Sequence, residues 1–132
     1  MKRLVPLVAA VAALLSAGSA QAVPSGCWAT VGLSSLPTGL EAGRPWLVTV
    51  RVLQHGRTPL ADAKPEIRIR KAAGKVTVFR GRPTAAVGSY GFRVVFPAAG
   101  RWTFTVYDGF VPNCAAEHTF KPVMVAPADL AP

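Results

Sequence analysis

Few residues in this 132-residue chain have side chains suited to chemistry: His55 and His118, Cys27 and Cys114, Met124, and six carboxylates. Triad hydrolysis needs a nucleophile, a base and an orienting acid within reach of one another. Neither histidine stands in a nucleophile-elbow or metalloprotease pattern. The glycines are scattered turn residues, with no strand-to-helix step to hold a phosphate. With so few positioned acid and base groups, the chain reads as a non-enzyme.

Metal binding is the remaining chemistry to weigh. His55 ends a strand-like run beside Gly56, while His118 and Met124 are six apart and share one face by period-two counting. Imidazole with thioether suits copper better than zinc or magnesium. Six residues of strand span about 20 Å, however, so one ion could reach both only if the strand broke at Pro122. The favoured reading makes Met124 a packing residue and leaves the histidines solvated or hydrogen-bonded to backbone. The expectation is therefore no cofactor, with copper at His55, His118 and Met124 as the alternative.

Cys27 and Cys114 allow a single internal pairing, and no CxxC spacing marks them as thiolate ligands. A disulfide between them is expected, closing nearly the whole domain. Trp28 beside Cys27, together with Phe110 and Val111 in the loop Asp108 to Asn113, forms a candidate partner-binding tip.

The elements that position these residues show period-two patterning. Tyr90, Phe92, Val94 and Phe96 share one face, as do Trp102, Phe104 and Val106, on either side of Pro97-Ala98-Ala99-Gly100. The pair reads as an antiparallel hairpin with one buried face. Further strands are expected at Cys27 to Leu33, Trp46 to Gln54, Pro65 to Lys71, Lys75 to Phe79 and Glu117 to Val125, seven in all with the hairpin. Turn residues separate them, and no segment after the N-terminal region has a helical period. Seven short strands at this spacing predict an all-β, immunoglobulin-like β-sandwich.

The N-terminal region has the pattern of a secretory signal: Lys2 and Arg3, an apolar run from Leu4 to Leu15, and Ala20-Gln21-Ala22 as a small-x-small cleavage site. The apolar run is too short to span a bilayer. The expected organisation is a signal peptide over 1–22 cleaved after Ala22, a sandwich over 23–125 and a Pro-rich, disordered tail over 126–132. Export, periplasmic or secreted, fits a retained disulfide. The net charge of +9 falls to +7 when Lys2 and Arg3 leave. Export argues against nucleic acid as the partner of this basic surface, and points to an envelope protein, with weak attraction to anionic membrane or wall polymer.

Trp46-Leu47-Val48, Leu53-Gln54-His55-Gly56, Thr58-Pro59-Leu60, Gly88-Ser89-Tyr90 and Phe96 to Trp102 follow one another in an order that resembles small exported bacterial domains of the YtkA-like type. The resemblance covers Trp28 to Tyr107. Leu-Gln-His-Gly is its distinctive part, because sandwich packing alone does not call for Gln followed by His. It implies an Ig-like fold, an exported location and a setting beside copper handling or oxidase assembly. Taken together, the sequence reads as an exported, non-enzymatic binding or accessory module of the envelope, with periplasmic copper handling as the alternative.

Overall fold

The computed structural model describes residues 27–111 and 113–129; the expected signal peptide lies outside them. Among the described residues the fold is all-β, with no helix, and two antiparallel sheets enclose the core. The strands are β1 (Ala29–Leu33), β2 (Pro45–Gln54), β3 (Thr58–Pro59), β4 (Glu66–Lys71), β5 (Thr77–Arg80), β6 (Arg82–Pro83), β7 (Ser89–Val95), β8 (Gly100–Tyr107), β9 (Glu117–Thr119) and β10 (Val123–Val125). Sheet one runs β1-β2-β7-β6, with β3 also on β2; sheet two runs β10-β8-β4-β5, with β9 also on β8. Leaving aside β3, this is the immunoglobulin order, with strands A, B, E and D in one sheet and C, F and G in the other. β5 adds an edge beside C, and G is split into β9 and β10.

Burial follows the alternation. Trp46, Val48, Val50 and Val52 on β2, Tyr90, Phe92 and Val94 on β7, and Trp102, Phe104 and Val106 on β8 are all buried. Their partners on the opposite pleat face outward, so each sheet covers one side of the core. Trp46 meets Phe104 edge to face, as Phe96 meets Trp102, with centroids 5.6 Å apart in both pairs. The two indole N–H groups stay satisfied: Trp46 Nε1 donates to Ser35 Oγ and Trp102 Nε1 to the Ala98 carbonyl.

Two expectations are corrected. First, the segments around Pro97 to Gly100 do not form a hairpin: β7 pairs with β2 and β6, whereas β8 pairs with β4, β9 and β10. The connection crosses between sheets, and the two apolar faces meet across the core. Alternation reveals which face is buried but not which strand lies alongside, and both arrangements carry the same pattern.

Second, the last strand is broken. Val123 pairs with Trp102 and Thr119 with Thr105. Three residues, Phe120 to Pro122, therefore stand opposite two, Thr103 and Phe104, which is a β-bulge. Pro122 lacks the N–H that a continuous ladder would use. The extra residue reverses the parity, so His118 pairs with inward Val106 and Met124 with outward Arg101. His118 and Met124 thus point to opposite faces, not the same one.

Directly after β10, Ala126 is held by backbone bonds. Its N–H donates to the Leu40 carbonyl and its own carbonyl accepts from Ala42, in a parallel bridge to Glu41. Thr58–Pro59 and Arg82–Pro83, which lie outside the expected strands, are two-residue edge strands.

Candidate functional site

The β2–β4 connection, the β6–β7 loop and the β8–β9 loop gather at one end of the sandwich, together with the start of β1. In immunoglobulin-like folds, loops at one end are the ones free to carry recognition. Here three devices hold that tip rigid.

The first is Asp108, directly after β8 and wholly buried. Its Oδ1 accepts from the backbone N–H groups of Phe110 (2.9 Å) and Ala116 (3.1 Å), and its Oδ2 lies 2.8 Å from His118 Nε2. One carboxylate thereby ties both ends of the 108–116 loop to β9. The bond to Phe110, two residues on, is an Asx-type turn.

The second device is Gly109, at φ 65°. A Cβ there would lie 2.2 Å from the Lys64 carbonyl carbon, so only glycine lets the two loops touch. The Lys64 N–H donates to the Gly109 carbonyl at 3.1 Å. The third is the Cys27–Cys114 disulfide, with Cα atoms 5.0 Å apart across a sequence separation of 87. It staples the entry of sheet one to the loop leading into the last strand of sheet two, as expected.

Tyr90 secures the neighbouring loop. Its buried hydroxyl donates to the Leu60 carbonyl (2.5 Å) and accepts from the Ala63 N–H (3.1 Å). Burial pushes the Tyr90 phenol above its usual value; the bond from Ala63 acts against this, and the nearby Asp62 adds to it.

Between these pinned loops lies an open cleft of about 550 Å³, a size typical of ligand pockets. Pro65, Pro83, Tyr107 and Val111 supply apolar wall, and Asp62, Lys64, Glu66 and Arg80 put both signs of charge around it. Glu66 is engaged by Arg68 at 2.9 Å. Arg68 also lies over the Tyr107 ring, 4.4 Å from its centroid, and its hydrogen bond to the Glu66 carboxylate raises the guanidinium pKa.

The residues predicted as a partner surface divide. Val111 is exposed and lines the cleft, and Trp28 is 44% exposed. Phe110 is half-buried and packs on the core, serving as a root for the loop. The predicted metal residues do not converge. His55 sits at φ 53° in the turn after β2, its ring centroid 4.9 Å from that of Trp28. His118 is bonded to Asp108, and Met124 projects from the far end of β8's edge partner, 68% exposed. Among the described residues, no three His, Cys, Asp or Glu side chains are grouped to hold a metal.

Asp108 and Tyr90 are the residues sequence reasoning missed. Asp108-Gly109 reads as ordinary turn punctuation, and Tyr90 as one more core aromatic; apart from the Phe110 N–H, their polar partners lie 8 to 30 residues away. No helix among the described residues is long and apolar enough to cross a membrane. No protein-family model, curated protein or solved structure matches the chain, so the likeness to YtkA-like domains rests on its residues alone.

Proposed function

We propose that this chain is an exported, non-enzymatic binding module of the cell envelope, of the YtkA-like type, that takes a partner protein at the loop tip. The observation that carries this reading is the cleft beside Val111. Its loops are pinned by Asp108, Gly109 and the disulfide, while its wall remains apolar and open. A surface ordered before it meets its partner avoids the entropy of ordering on binding. An apolar wall ringed by mixed charge suits one anchoring side chain from a partner, with polar contacts around it. The disulfide is consistent with export.

A photo-crosslinking residue at position 111, with a second at exposed Leu47 on sheet one as control, tests the proposal in the producing cell. A discrete adduct from position 111 that disappears with Trp28→Asp or with Tyr107→Ala supports the tip. Adducts that are equal at both positions, or absent at 111, overturn it. Mature protein beginning at Val23 in the exported fraction is the accompanying expectation.

A further inference from the structure

Adjoining the tip cleft, which Arg80, Gly81 and Pro83 also line, the chain passes from sheet two to sheet one and Gly81 crosses directly over Phe92. A Cβ on Gly81 would lie 2.6 Å from the Phe92 ring, so the crossing requires glycine. Arg80 and Arg82 flank this glycine, and Arg82 pairs with Gly91 of β7. Arg93 follows on the same outward face of β7. An open groove of about 500 Å³ runs beside the segment 79–84, with Gly91 on its floor and Arg80, Arg82 and Arg93 along it.

Two features set this groove apart from the generally basic surface. No acid lines it, although Glu66 stands opposite Arg80 in register. Glu66 is held instead by Arg68, and among the described residues Arg80, Arg82 and Arg93 make no ion pair. The Gly91 floor is also open, since a Cβ there would meet nothing closer than 3.9 Å. Thr84 Oγ1 is occupied within its own loop, donating to the Ser89 carbonyl and accepting from Ala86 N–H, which leaves the arginines as the free donors.

We infer that this groove binds an extended phosphate-bearing polyanion, one phosphate chain lying along residues 79–84 with its oxygens on Arg80, Arg82 and Arg93. Guanidinium forks match phosphate bidentately, and three of them exceed what a single carboxylate can accept. The concave floor suits a linear chain. A planar bilayer would reach the arginine tips without entering the groove.

The test is binding of linear inorganic polyphosphate to the disulfide-intact protein, compared with polyglutamate and with vesicles of phosphatidylglycerol. The expected result is saturable polyphosphate binding that weakens with salt. It falls at least about tenfold in the Arg82→Ser, Arg93→Ser double variant. The Arg57→Ser, Arg101→Ser double variant loses the same charge elsewhere and should bind as the parent does. Gly91→Val fills the floor without changing charge, its backbone is unstrained, and it too should lose binding. An unchanged melting temperature in each variant shows that the fold is intact. Equal losses in both double variants, or full binding by Gly91→Val, overturn the groove as the site. Preference for polyglutamate overturns phosphate, and preference for vesicles overturns the polymer.

Discussion

His118 Nε2 lies 2.8 Å from Asp108 Oδ2, and this contact fastens the last strand to a carboxylate that also accepts two backbone N–H groups of its own loop. The carboxylate is fully buried, whereas the imidazole is partly open to solvent. The two partners should therefore respond unequally to mutation.

Asp108→Ala leaves the Phe110 and Ala116 N–H groups without an acceptor and should cost about 3 kcal/mol in urea unfolding. Asp108→Asn keeps an oxygen for those donors and should cost about 1 kcal/mol. His118→Ala should fall between them, because its removal leaves a buried carboxylate with one face unpaired. A double-mutant cycle showing no coupling between Asp108 and His118 would contradict this account.

Two glycines with almost the same φ should behave differently when replaced by alanine. Gly39, at φ 67°, faces open space, whereas Gly109, at φ 65°, abuts the Lys64 backbone. Gly39→Ala should cost only the left-handed penalty of about 1 to 2 kcal/mol. Gly109→Ala adds a clash with backbone that has no rotamer to change, and should cost more than about 3 kcal/mol. Thermal melts of the two variants give the comparison directly.

The Tyr90 phenol has a folded pKa above its usual value of 10.0 because it is buried. A raised folded pKa means that the stabilisation is complete below the unfolded value and is lost as pH rises through the folded one. Tyr90→Phe also loses two hydrogen bonds and should be less stable at neutral pH by about 1 to 2 kcal/mol. Above about pH 10 the parent should lose stability faster than Tyr90→Phe, and the gap should narrow. Denaturant midpoints measured from pH 7 to 11 would show parallel curves if the phenol did not matter.

Copper provides the last prediction. With His118 held by Asp108 and Met124 turned outward at the far end, His55 has neither predicted co-ligand beside it. Titration of Cu(I) and Cu(II) against a competing chelator, with the disulfide intact, should give no one-to-one site of better than about micromolar strength. A site of that strength that is lost in His55→Ala would restore copper handling as the leading function.

Period-two alternation determined the all-β class and the inward faces of β2, β7 and β8, and the presence of only two cysteines pointed to the Cys27–Cys114 link. The class and the inward faces depend on neighbours along the chain, where a residue's type shows which way it faces, and two cysteines admit a single internal pairing. Which strands lie side by side is not local, and the same alternation fits either a hairpin or a crossing between sheets at Pro97 to Gly100. The bulge at Phe120 to Pro122 is similarly hidden, since one extra residue reverses the faces of His118 and Met124 relative to each other without changing their spacing. Burial of Asp108 and Tyr90 with distant polar partners, and convergence of Arg80, Arg82 and Arg93 on Gly91, required the tertiary structure. Each depends on segments meeting through packing of the two sheets, and sequence spacing carries no record of that meeting.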